Sequence, residues 1–115
     1  MKLGEPSIDQ LRIFLAVVEE GSFGRAAKRM GRAISAVSYG IAQMETQLGV
    51  ELFKREGSRR PELTDAGRGL LAEARAVADR ADALLAKARS VHAGLESDLA
   101  LALDVMLPGD VTANV

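Results

Sequence analysis

In the first fifty positions of the chain apolar residues recur at intervals of three and four, the period of helices with one buried side. From about Ile8 to Glu20, the residues Leu11, Phe14, Leu15 and Val18 share one face and are expected to be core. Ser7 and Gln10 have the spacing of a capping box at its start, and Gly21 can end it. Ser22 reads as the N-cap of a second, short helix whose apolar side is Phe23, Ala26, Ala27 and Met30. Gly31 closes that helix, and Arg32-Ala33 leads into a third over residues 34–48. There Val37, Ile41, Met44 and Leu48 form the packing stripe. The opposite face holds Ser35, Tyr39, Ala42, Gln43 and Thr46, with Ser38 at its edge, and Gly49 suits the position that ends the helix. Two short helices joined by a Gly-containing turn read as a helix-turn-helix. A small, polar outer face is what lets a helix lie close to base edges in a major groove.

Beyond Gly49 the pattern changes. Val50, Leu52 and Phe53 are expected anchors, and Lys54-Arg55 and Glu62-Leu63-Thr64 can pair as two short strands. Between them Glu56-Gly57-Ser58-Arg59-Arg60-Pro61 is rich in turn formers and carries two arginines. That is the form of a wing at 55–61 whose basic tip can reach phosphate or the minor groove, the alternative being an ordinary exposed loop. Thr64 then reads as the N-cap of a long helix from Asp65 to about Ala93, roughly 43 Å at 1.5 Å per residue. Leu70, Ala74, Val77, Ala81, Leu84, Ala88 and Val91 lie on it at alternating intervals of four and three, a heptad seam that Leu71, Ala78 and Leu85 widen. A seam of that length calls for a partner, most simply the same helix of a second copy; the alternative is a helix folded back on its own domain. Gly94 is expected to end it. Leu99, Leu101, Leu103 and Val105 alternate with Ala100, Ala102, Asp104 and Met106, which is a strand pattern before the Pro108-Gly109 break.

Composition sets limits on the chemistry. With 115 residues, 48% hydrophobic and only 3% aromatic, there is room for one small helical domain and an appendage. Cysteine is absent and His92 is the single histidine, so thiolate or histidine metal sites and a Ser/His triad are not expected. Nor is there a Gly-rich phosphate loop, so no catalytic residue, metal or cofactor is proposed and an enzyme is poorly supported. No apolar run of about 18 residues occurs and MKLGEPS lacks a signal peptide's apolar core, so a cytoplasmic location without membrane contact is expected. The net charge is −1, but residues 25–60 hold eight basic groups (Arg25, Lys28, Arg29, Arg32, Lys54, Arg55, Arg59, Arg60) against Glu45, Glu51 and Glu56. A basic zone centred on the helix-turn-helix fits duplex DNA, although charge alone fits a solvated surface equally well.

The runs LRIFLAVVEEGSFGRAAKRM, AVSYGIAQMETQLGVELFKR and LTDAG resemble the DNA-binding domain of LysR-type transcriptional regulators over about residues 8–93. The resemblance implies a mainly α fold: a winged helix-turn-helix domain with a small two-stranded wing at 1–64, followed by a long dimerising linker helix at 65–94. Residues 95–115 would begin an effector-binding domain whose remainder, with its small-molecule effector, is missing; with no sheet to join, the chain from about 97 onward would be disordered or packed opportunistically. It implies DNA contacts from Ile34, Ser35, Ser38, Tyr39 and Gln43, from Arg55, Ser58, Arg59 and Arg60 around the wing, and backbone support from Arg25, Lys28 and Arg29. Homodimerisation would use the seam from Leu70 to Val91. Many members read Ser-Gln-Pro-Ala-Leu-Ser-Arg-Gln where this chain reads Ala33-Ile34-Ser35-Ala36-Val37-Ser38-Tyr39-Gly40. The capping serine and the base-reading glutamine and arginine are therefore absent, and no Lys or Arg stands between Ile34 and Gln47. Base readout must lean on shape, apolar contact and Tyr39. The reading is a sequence-specific regulator that binds a roughly palindromic site as a dimer; the alternative is a helical interaction module that has lost specific DNA binding.

Overall fold

The computed structural model describes residues 4–55 and 60–106. Four helices are formed: α1 Ile8–Glu20, α2 Phe23–Met30, α3 Ile34–Leu48 and α4 Asp65–Met106. The chain divides into two units, Met1–Arg80 and Ala81–Val115.

In the first unit, local chemistry sets the helix ends where the sequence places them. Ser7 and Gln10 close a reciprocal capping box on α1, Ser7 Oγ accepting from Gln10 N–H at 3.1 Å while Gln10 Oε1 accepts from Ser7 N–H at 2.6 Å. Gly21, Gly31 and Gly49 end α1, α2 and α3 in the left-handed region, with φ of 67°, 67° and 74°. A residue with a Cβ would be strained at each.

The helices α1, α2 and α3 pack pairwise on one another around Phe14, Val17, Val37, Met44 and Leu52, all fully buried. Phe53 meets both Phe14 and Phe23 edge-on, each with ring centroids 5.7 Å apart. All three phenylalanines of the chain thus sit in one cluster, with Phe14 and Phe53 buried in the core and Phe23 packed against it. Burial on α1 is broader than one stripe: Ile13 through Val17 are buried in succession, while Leu11 and Val18 are only partly covered. An element in the middle of a small bundle has neighbours on more than one side, which periodicity alone does not show.

Two expected anchors are corrected. Leu48 is 38% exposed and Val50 36% exposed, because α3 ends at Gly49 and the chain turns away there; the anchoring passes to Leu52 and Phe53. Gly40, which costs a helix on the order of 1 kcal/mol relative to Ala, has a packing reason. It is buried, and a Cβ there would stand 2.9 Å from Ile13 Cδ1, so α1 and α3 cross at this residue.

The wing base pairs in the expected direction but reduces, among the described residues, to one antiparallel bridge, Phe53 with Leu63. Lys54 N–H donates to Glu62 O at 2.8 Å and Thr64 N–H to Leu52 O at 2.9 Å. Thr64 Oγ1 accepts from Gly67 N–H at 2.9 Å, the expected N-cap of α4. The first part of α4 belongs to this unit: Ala74 and Ala78 are buried in the same core, with Leu70 and Leu71 packed against it. Of the ten residues assigned to a dimer seam, Ala74 and Ala78 are therefore buried within their own domain and Leu70 and Leu71 partly covered there. A surface with alanine at its centre allows the close approach that this packing needs.

In the second unit, the helix neither ends at Gly94 nor gives way to a strand at 99–105; it continues to Met106. Ala and Leu fill residues 99–103 and are strong helix formers. A helix also satisfies its own backbone groups, whereas a lone strand leaves them unpaired. Across Gly94, His92 Nε2 stands 2.8 Å from Glu96 Oε1, an i,i+4 contact that bridges the weak point. Side chains from Asp82 to Ala102 are exposed, among them Leu84 and Leu95, and residues 107–115 lie outside the described part.

Candidate nucleic-acid interface

The helix-turn-helix is built by α2, the turn Gly31-Arg32-Ala33 and α3. Ser22 Oγ accepts from Arg25 N–H at 3.1 Å to start α2. At its end Gly31 N–H donates to Lys28 O and Arg32 N–H to Ala27 O at 2.9 Å, which settles the last carbonyls and fixes the angle into α3. The helix α3 has Ala33 as its N-cap and no side-chain cap bond. Ala36 N–H turns back to Ala33 O at 3.0 Å, which leaves the N–H groups of Ile34 and Ser35 for water or for a phosphate oxygen.

Val37, Gly40, Ile41 and Met44 face the core, and Ile34, Ser35, Ser38, Tyr39, Ala42, Gln43 and Thr46 face solvent. Tyr39 is 68% and Ile34 55% exposed. The structure thus brings the five α3 candidates Ile34, Ser35, Ser38, Tyr39 and Gln43 onto one outer surface. Ser58 and Arg59 lie outside the described residues.

The basic groups are arranged less simply than the local charge suggests. Arg25 and Lys28 are exposed and make no ion pair among the described residues. Arg29 instead reaches back to Glu19 at 2.9 Å and Glu20 at 3.2 Å on α1. Arg32 holds Asp9 through two hydrogen bonds of 2.7 Å each. That bond lowers the Asp9 carboxyl below its ordinary value and raises the Arg32 guanidinium above its own. Arg55 pairs with Glu51 at 2.8 Å and Lys54 with Glu62 at 3.5 Å. Arg60 turns toward the end of α1, its Nη2 lying 3.7 Å from where a Cβ of Gly21 would be. Much of the basic zone is therefore neutralised by nearby acids. Such exposed pairs are weak, so phosphates can compete for these cations.

One residue that the sequence reading passes over joins the two parts of the surface. The Glu45 carboxylate on α3 accepts from Leu52 N–H at 2.7 Å and from Phe53 N–H at 3.3 Å. This ties the base of the wing to the third helix. The available signal was a single acid in a helix otherwise without charge between Ile34 and Leu48. Among the described residues no cluster of three or more His, Asp or Glu is placed to hold a metal ion, and no helix is long and apolar enough to cross a membrane.

Residues 8–68 match the family model described as bacterial regulatory helix-turn-helix protein, lysR family. A probable HTH-type transcriptional regulator of Escherichia coli K12, YhaJ, is 35% identical over 102 residues, covering 89% of this chain and 34% of its own. The chain therefore spans about a third of the length of that relative. Among solved structures, OxyR of Corynebacterium glutamicum superposes with a TM-score of 0.72 at 33% identity, over 76% of this chain and 27% of that one. A DNA-binding-domain complex of BenM with benA site 1 DNA superposes with a TM-score of 0.69 at 32% identity, over 76% of this chain and 98% of that domain.

Proposed function

The chain belongs to the lysR family of bacterial regulatory helix-turn-helix proteins, and on that premise we propose that it is the DNA-reading and pairing part of a cytoplasmic transcriptional regulator. The observation that carries this is the outer surface of α3: one face buried to Val37, Ile41 and Met44, the other small, polar and open. The likeness to a domain solved on DNA supports the same placement. In this reading α3 enters the major groove and Ile34, Ser35, Ser38, Tyr39 and Gln43 meet base edges and nearby phosphates. Arg25 and Lys28 hold the backbone, helped by Arg29, and the wing with Arg55, Ser58, Arg59 and Arg60 flanks it.

Pairing of two copies uses the part of the seam that the domain leaves open: Val77, Ala81, Leu84, Leu85, Ala88 and Val91. Val77, Leu84, Leu85 and Val91 are each 46–69% exposed in the single chain. Two-fold symmetry then demands a roughly palindromic site. The same exposed row favours a second reading, an interaction module without DNA specificity. The test is titration of the chain against random-sequence duplexes at two salt concentrations, with sequencing of the bound fraction. One enriched inverted repeat, bound more weakly as salt rises, supports the regulator. Absence of duplex binding at either salt, with the chain still paired, refutes it in favour of the interaction module.

A further inference from the structure

The outer face of α3 has a chemistry that bears on which bases it selects. This inference rests on the DNA-binding reading above. Guanine is read most often by a bidentate Arg or Lys and cytosine by Asp or Glu, whereas adenine is read by Asn or Gln and thymine by apolar contact with its C5 methyl. From Ile34 to Leu48 there is no Lys or Arg. The one acid, Glu45, is turned inward to Leu52 and Phe53. The cation nearest the start of the helix, Arg32, is held by both oxygens of Asp9. What α3 presents instead is apolar or neutral. Ile34 and Tyr39 are the two most exposed of its large apolar side chains, lying roughly 140° apart at 100° per residue. Between them Ser35, Ser38 and Ala42 form a floor low enough for base edges to come close. Ile34 lies near the first turn of α2, its Cδ1 3.7 Å from where a Cβ of Gly24 would be, and more than half of the residue stays open.

We propose that Ile34 and Tyr39 are specificity-determining residues that select thymine through its C5 methyl group, so that the preferred half-site is A·T-rich, with Gln43 on an adjacent adenine. A helix of this surface has no cation to grip guanine, and its selectivity depends on the methyl rather than on a charge.

The test uses the whole chain and the duplex enriched from the random pool, remade with deoxyuridine in place of each thymine in turn. Uracil keeps the Watson–Crick and groove hydrogen-bonding atoms of thymine and lacks only the methyl. Affinity should fall about fourfold at each contacted position, the effect of removing one buried methyl-sized group. Tyr39→Ala or Ile34→Ala should bring the thymine-to-uracil ratio at its own position to about one, with the salt dependence of binding unchanged, and Tyr39→Phe should keep the wild-type ratio. Both residues are exposed, so these variants retain the core. Salt-dependent binding that is equal for thymine and uracil duplexes, or enrichment of a G·C-rich half-site, overturns the assignment while leaving DNA binding intact. No duplex binding at all overturns the DNA-binding reading and this assignment with it.

Discussion

Two glycines in the first turns of α4 should respond in opposite directions to the same substitution. Helix propensity predicts a gain of up to about 1 kcal/mol for Gly→Ala at either position. At Gly69 nothing lies within 4 Å of a new Cβ, so Gly69→Ala should stabilise the protein by about 0.5–1 kcal/mol. At Gly67 the Cβ would stand 2.3 Å from the Leu52 carbonyl oxygen and 2.9 Å from Leu63 Cδ2. The first of these is backbone and cannot step aside as a side chain can. Relief requires moving Leu52, a fully buried residue whose carbonyl accepts from Thr64 N–H at 2.9 Å. Overpacking of this kind costs about 1–3 kcal/mol, and weakening the hydrogen bond adds on the order of 1 kcal/mol. Against the propensity gain, Gly67→Ala should be destabilising by about 1–3 kcal/mol. Thermal unfolding followed by circular dichroism at one fixed protein concentration reads this as a fall of roughly 4–8 °C per kcal/mol. A Gly67→Ala variant as stable as the wild type would refute the close seating of α4 on the wing base.

Three further outcomes follow from particular contacts. Glu45→Ala should destabilise by about 1–3 kcal/mol, because two backbone N–H groups lose their acceptor; Glu45→Gln, which keeps one oxygen in place, should cost less in urea unfolding. The Asp9 carboxyl is held below its ordinary 3.8 by the hydrogen bond from Arg32, so its contribution is present above that value and is lost as pH falls through the lower folded pKa. Stability of wild type and Asp9→Asn measured from pH 6 to pH 2 should therefore converge at the acidic end; a constant difference would refute the linkage. Leu84→Glu should weaken pairing of two copies by roughly tenfold or more, the loss of a buried leucine, with helix content unchanged, as read by sedimentation equilibrium.

The sequence by itself determined the features whose physics is local. Helix ends at Ser7, Gly21, Ser22, Gly31 and Gly49 depend on groups a few residues apart, and the inner and outer faces of α3 follow from a period of 3.6. The outer surface of α3 was legible for that reason, down to its lack of cations. Tertiary structure decided what depends on neighbours distant in sequence. It placed Arg29 on Glu19 and Arg32 on Asp9, which moderates a basic zone that looks stronger when only residues 25–60 are counted. It turned Glu45 to the backbone of the wing and gave Gly40 and Gly67 their reasons, the nearness of Ile13 and of the Leu52 carbonyl. It also divided the heptad seam, because a stripe of apolar residues specifies burial without naming the partner: Ala74 and Ala78 are covered by their own domain, while Leu84 and Val91 are left open. At the far end, alternation and helical spacing coincide in a run of Leu and Ala. The backbone took the form that satisfies its own hydrogen bonds.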